Sequence, residues 1–268
     1  MTNTRSMNNF NLPFLPERTA KPRDNGIAMV MDKGLSPREG EDLVTSAGDL
    51  IDYIKLGFGT SVVTANLKEK IRIYQEAKIR VYAGGTLFEA FIIRDMFDTY
   101  RHFVEKMNLD TIEISDGSMN MEHDKKCEYI RILSKDYIVL SEVGSKEAGI
   151  LIAPNRWIEM MKTELEAGST KVIGEARESG NVGIYRPTGK AHVTLINKIL
   201  SKVDQDKIIW EAPLKSQQVW FIKHFGANVN LGNIAPADVI PLETLRLGLR
   251  ADTFFSFLPE KFKKFKLE

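Results

Sequence analysis

From Gly26 onward the chain repeats one rhythm: a short β-branched, apolar segment ends in glycine or a charge, and a stretch with apolar residues three and four apart follows. Ile27 to Met31 is the first such segment, closed by Asp32-Lys33-Gly34, and Ser36-Pro37 then supplies N-cap and first-turn residues for a helix. Tyr53 to Gly57 is the second, followed by Phe58-Gly59-Thr60-Ser61 and a helix carrying Leu67, Ile71 and Tyr74. Ile79 to Ala83 leads into Gly84-Gly85-Thr86 and the clearest helical stripe, Phe88, Ile92, Met96, Tyr100 and Phe103, which predicts one long core-packed helix. Thr111 to Ile114 runs into Ser115-Asp116-Gly117. Ile138-Val139-Leu140 is too apolar for a surface strand, and its continuation Ser141-Glu142-Val143-Gly144-Ser145-Lys146 ends in a carboxylate, a glycine and a lysine. Lys171 to Arg177, Lys207 to Trp210 and Val229 to Leu231 complete the set, with helices predicted from Ser216 to Phe225 and from Pro236.

Eight strand-like segments alternating with helical ones, over about 210 residues, predict an α/β fold: a single (β/α)8 TIM barrel. An open doubly wound sheet is the competing architecture. It is disfavoured because no Gly-x-Gly-x-x-Gly follows the first strand and because chemically useful residues end nearly every strand. Residues 1–25, rich in Asn, Pro and charge with Phe10, Leu12, Phe14 and Leu15 as anchors, are expected to form an N-terminal arm on the surface of a barrel domain spanning 26–268. Such an arm also fits contact between copies of the chain, so a homo-oligomer is one expectation. At the other end Phe254, Phe255 and Phe257 are expected to cover the outer layer, with Lys261, Lys263, Lys264 and Lys266 in solvent.

Composition narrows the function. With 37 Lys and Arg against 36 Asp and Glu, no global field favours nucleic acid or an anionic membrane. A single cysteine, Cys127, rules out an internal disulfide framework and a thiolate zinc site and fits a reducing compartment, so a cytoplasmic protein is expected. No apolar run approaches the roughly 18 to 20 residues that span a bilayer.

In barrel enzymes chemistry sits at the carboxyl ends of the strands. The residues there are Asp32, Lys33, Lys55, Ser115, Asp116, Glu142, Lys146, Glu175, Arg177, Glu211, Lys215, Asn230 and Asn233. Surface loops are also charged, so the collective pattern carries more than any member. His102, His123, His192 and His224 lie away from strand ends and form no His-x-x-x-His pair, so a bound metal is expected to be a hard cation such as Mg²⁺ held by oxygen. Asp32, Asp116, Glu142, Glu175 and Glu211 can supply that oxygen; Asp116, Glu175 and Glu211 are assigned as the metal set, and Glu142 is placed beside Lys146 as a metal or hydrogen-bonding candidate. Asn230-Leu231-Gly232-Asn233, opening onto a helix, is the leading anion cradle, with Lys215 adding charge from the preceding loop. The glycine-rich segments at Gly57 to Ser61 and Gly84 to Thr86 are weaker candidates, since glycine also serves simple geometry.

Asp32-Lys33-Gly34, Lys55 to Ser61, Gly84-Gly85-Thr86, Glu113 to Gly117, Ser141 to Lys146, Glu175 to Gly180, Glu211-Ala212-Pro213 and Asn230 to Asn233 together resemble the phosphosulfolactate synthase family, over about Gly26 to Arg250. The resemblance implies a (β/α)8 barrel that adds sulfite to phosphoenolpyruvate with Mg²⁺, giving (2R)-2-phospho-3-sulfolactate on the route to coenzyme M. It further implies that Lys146, in the Glu-Val-Gly-x-Lys motif, is the general acid that protonates C2. Lys33, Lys55, Arg177 and Lys215 are then available for sulfite and phosphate, Arg177 being best shaped for bidentate oxyanion binding. The same family includes plant heat-stress relatives, which keeps open a non-catalytic role in binding proteins. A lyase or aldolase on another enol phosphate, with Lys146 forming a Schiff base, is a third reading.

Overall fold

The β-branched segments become eight strands: β1 (Ala28–Asp32), β2 (Tyr53–Leu56), β3 (Arg80–Ala83), β4 (Thr111–Ile114), β5 (Ile138–Val143), β6 (Lys171–Gly174), β7 (Ile208–Glu211) and β8 (Leu231–Ile234). Between and after them run α1 (Pro37–Ala47), α2 (Leu67–Glu76), α3 (Gly85–Ile92), α4 (Phe97–Lys106), α5 (His123–Leu133), α6 (Pro154–Ala167), α7 (Val193–Leu200), α8 (Lys215–Phe225) and α9 (Val239–Arg246). The structure is a computed structural model that describes residues 9, 12–144 and 152–266. Among the described residues all seven ladders are parallel, in the order β3-β2-β1-β8-β7-β6-β5-β4, and β3 lies against β4, so the sheet rolls into a nearly closed (β/α)8 barrel. Among the described residues no helix is long and apolar enough to cross a membrane.

Alternation along each strand sorts the side chains into two layers. Val30, Ile54, Val81, Ile112, Val139, Val172 and Trp210 join the large core between sheet and helices. Ile27, Met29, Tyr53, Tyr82, Leu140, Ile173 and Ile209 form a separate cluster that fills the barrel interior. Burying one such aliphatic side chain contributes about 1.5–3 kcal/mol. The interior cluster also sets the site. Two residues beyond Tyr53, Leu140, Ile173 and Ile209 stand Lys55, Glu142, Glu175 and Glu211, on the same face and one layer nearer the carboxyl end.

Ser36 is the N-cap of α1 as expected, Pro37 is in its first turn, and Ser36 also forms a capping box with Glu39. The stripe from Phe88 to Phe103 does not form one helix. The chain leaves α3 in a Schellman turn, with Met96 N–H donating to the Phe91 carbonyl (3.0 Å), Asp95 N–H donating to the Ile92 carbonyl (2.9 Å) and Asp95 at φ 55°. Apolar spacing continued across this break because α3 and α4 both pack Phe91, Tyr100 and Phe103 into the same core.

The part of the arm that is described is stitched under the barrel. Arg18 donates to Glu243 (2.8 Å) and to the Ala227 carbonyl (2.9 Å), and Arg23 donates to both Asp52 oxygens (2.9 and 2.9 Å).

Candidate active site at the carboxyl end of the barrel

Lys55 is buried at the centre of the barrel mouth. Its Nζ lies 3.0 Å from Glu113 Oε2, 3.3 Å from Glu142 Oε2 and 3.3 Å from Glu211 Oε1. Burial alone pulls the ammonium down, but Glu113, Glu142 and Glu211 outweigh it and hold its pKa well above the ordinary lysine value. Lys55 is therefore a permanent cation whose three donors face three carboxylates.

Two of these carboxylates are also held from a second side. Glu113 Oε1 accepts the Gly85 N–H at the start of α3 (2.6 Å). A Cβ at residue 85 would come within 2.3 Å of Ser115 Oγ, so only glycine lets the helix begin this close to β4. Glu211 Oε2 accepts the Ala176 N–H (2.9 Å), and Glu175 Oε1 accepts the Arg177 N–H (2.5 Å). Glu142, Glu175 and Glu211 are buried, and one oxygen from each lies within 4.8 Å of the others. Burial, followed by the neighbouring Glu142 and Glu113, pushes Glu211 up to about 7 against the opposing pull of Lys55 and the Ala176 N–H. A hard divalent cation fits this donor set, because it favours carboxylate oxygens and relieves their mutual repulsion.

The remaining sequence candidates scatter. Asp116 stands outside the trio: Lys126 donates to it (2.9 Å), to the Glu142 carbonyl (2.6 Å) and pairs with Glu164 (2.9 Å), which draws Asp116 toward the layer between β5 and α5. Asp32 faces the helices, paired with Lys70 (2.8 Å) and accepting from Tyr74 (3.1 Å), because it shares the outward register of Ala28 and Val30. Lys33 and Lys215 are exposed and ion-paired with Glu178 and Asp252 respectively. Arg177 is exposed on a left-handed backbone (φ 54°) directly after Glu175.

Asn230 sits at the opposite, amino-terminal end. It accepts from Ile27 N–H (3.1 Å) and donates to the Ile208 carbonyl (3.2 Å), since β8 begins at Leu231, one residue after it, and not at Val229, one residue before. Gly232 faces the interior, where a Cβ would come within 2.5 Å of Met29 Cε. Asn233 is buried at φ 56°, and its Oδ1 has no hydrogen-bond partner among the described residues. Lys146 lies outside the described residues.

Sequence reasoning missed Glu113 as a site residue, although it is a charged residue two past the inward Thr111. It also missed Glu89 on α3, which accepts from Ser115 Oγ and from Ser118 N–H (2.7 Å).

The model of the (2R)-phospho-3-sulfolactate synthase (ComA) family matches residues 16–252. The chain belongs to that family. A phosphosulfolactate synthase from Methanothermobacter thermautotrophicus is 42% identical over 92% of this chain and 98% of its own length. The phosphosulfolactate synthase of Bacillus subtilis is 42% identical over 93% of this chain and all of its own length. Protein HEAT-STRESS-ASSOCIATED 32 of Arabidopsis thaliana is 22% identical over 86% of this chain and 88% of its own. Among solved structures, 3-hexulose-6-phosphate synthase from Salmonella typhimurium aligns with TM-score 0.52 and 13% identity over 84% of this chain and all of that one, a likeness of fold. Membership of the phosphosulfolactate synthase family makes the barrel mouth the place to look for enzyme chemistry on small molecules.

Proposed function

We propose that the chain joins sulfite to phosphoenolpyruvate to give (2R)-2-phospho-3-sulfolactate, a reaction of the carbon–sulfur lyase class run in the synthetic direction, with Mg²⁺ held at the barrel mouth. The observation that carries this reading is the convergence of Glu142, Glu175 and Glu211, buried and within 4.8 Å of one another, in a chain of this family. When bound, Mg²⁺ supplies positive charge against the negative charge that the substrate carboxylate gains during the attack.

The sulfur lone pair of sulfite forms the new bond to C3. The C2–C3 π pair moves onto C2 and its carboxylate, and C2 then takes a proton on one face while the phosphate stays in place. Glu142, Glu175 and Glu211 hold the cation. Lys55 fixes the position of two of them through contacts of 3.3 Å. Lys146, three residues beyond the end of β5, is the proposed proton donor to C2. Arg177, next to the cluster and exposed, offers its guanidinium fork to an oxyanion.

Purified protein given sulfite, phosphoenolpyruvate and Mg²⁺ is expected to consume phosphoenolpyruvate without releasing inorganic phosphate, followed by phosphorus NMR, and to stop when a chelator is added. Absence of a sulfonate product at every sulfite concentration overturns the reading. Lys146→Ala is expected to lose turnover while still binding phosphoenolpyruvate, and unchanged turnover removes Lys146 from its role.

A further inference from the structure

Lys55 shares its partners with the carboxylate trio. Its Nζ touches Glu142 and Glu211 at 3.3 Å, and both also belong to the set whose oxygens lie within 4.8 Å of one another with Glu175. Carboxylates shared between two adjacent cations are the arrangement of two-metal sites, in which the ions stand about 3.5–4 Å apart. In this barrel one of the two adjacent positions is filled by an ammonium that is part of the chain.

That position is fixed by groups outside the trio. Glu113 meets Nζ at 3.0 Å and is itself anchored by the Gly85 N–H at 2.6 Å. The lysine stem is packed as well, since a Cβ on Gly84 would lie 3.2 Å from Lys55 Cε. An ammonium makes contacts near 3 Å, whereas Mg²⁺ takes oxygen at about 2.0–2.1 Å and carries twice the charge. A tethered lysine thus neutralises part of the cluster without dissociating, and it denies the Glu113-Glu142-Glu211 side to a second ion.

We propose that Lys55 is a built-in cation occupying the second position of a carboxylate cluster of the two-metal type, and that it restricts the site to a single divalent ion. Lys55 is then a positioning residue that touches neither substrate nor the reacting atoms. The proposal rests on the reading that Glu142, Glu175 and Glu211 hold a divalent cation.

Mn²⁺ is the probe, with calorimetry for stoichiometry and electron paramagnetic resonance for coupling between ions, both on the full chain. Wild type is expected to bind one Mn²⁺ per chain with an uncoupled signal. Lys55→Met is expected to bind two, with a spin-coupled signal, while Lys55→Arg stays at one. Adding Glu113→Gln to Lys55→Met is expected to bring the count back to one. A folded Lys55→Met protein that binds one Mn²⁺ with wild-type affinity overturns the role of Lys55 and leaves the trio as a cation site. Two coupled ions in wild type overturn it without recourse to any variant. A wild type that binds none overturns the cation reading beneath it, and the proposal with it.

Discussion

The amino end of the barrel and its carboxyl end are both dense in buried charge, but the charges are satisfied in opposite ways. Below, Arg246 donates to the carbonyls of Ala227 (2.6 Å), Val229 (2.8 Å) and Ile27 (3.0 Å), and Lys171 donates to those of Asp24 (2.8 Å) and Asp206 (2.7 Å). These cations rest on backbone dipoles that the fold itself fixes. Above, Glu142, Glu175 and Glu211 are set against one another, with Glu113 and Lys55 beside them. Burial and then Arg18 pull the Arg246 guanidinium down to about 9, yet it stays charged at neutral pH; burial leaves Glu211 near 7, on the edge of its charged form. The lower end satisfies its charges within the fold, and the upper end carries electrostatic cost that the proposed divalent cation would offset.

Removing a charge should therefore affect opposite properties at the two ends. Glu175→Gln is expected to cut turnover on the order of a hundred- to a thousandfold, with Mn²⁺ binding lost and thermal unfolding little changed or raised. Steady-state kinetics alongside calorimetric titration checks it; full turnover without Glu175 would separate the cluster from the chemistry. Arg246→Met is expected to reverse that pattern. Three hydrogen bonds from a buried charged donor are lost, and although Ala227 keeps Arg18 and Ile27 keeps the Leu231 N–H, the change costs about 3 kcal/mol or more of folding stability. The kcat of the protein that remains folded should not change. A urea titration and an assay on the same sample decide, and a stable but inactive Arg246→Met protein would erase the distinction between the ends.

Legibility in the sequence differed between the ends for a physical reason. Strand number and order follow from β-branched runs ending in glycine or charge, because local propensity and burial agree there. Glu175 and Glu211 each close such a run, and the structure brings both into the trio. Asp116 closes a run equally well, yet it pairs with the buried Lys126 on α5 and stands outside the trio, and the partner of a carboxylate on another element is not written in its own strand. Asn230 was misplaced by a shift in register: β8 starts at Leu231, so what read as a strand end is the layer beneath the strand. Glu113 is legible through alternation, since Thr111 and Glu113 share a face, but a charge inside a strand gives no strand-end signal. Helix α3 ended early because Asp95 took a left-handed conformation, which an apolar stripe does not encode.

The smallest expected effect is the pH dependence of stability that Glu211 imparts to protein freed of divalent cations. Its folded pKa, about 7, is raised above the ordinary glutamate value, chiefly by burial. The folded state thus binds the proton more tightly than the unfolded chain does. The resulting stabilisation is complete below the unfolded pKa and is lost as pH rises through about 7. Linkage for one proton puts the loss at about 1.4 kcal/mol between pH 6 and pH 8. Urea unfolding in chelator should show stability falling across that window, and Glu211→Gln should flatten the fall. Mg²⁺ should offset it, because cation binding requires the deprotonated carboxylate and strengthens as pH rises. At the amino end Arg246 stays charged throughout the same range, so Arg246→Met should lower stability at every pH without changing this slope. A slope that disappears with Arg246→Met and survives Glu211→Gln would place the titrating charge at the wrong end of the barrel.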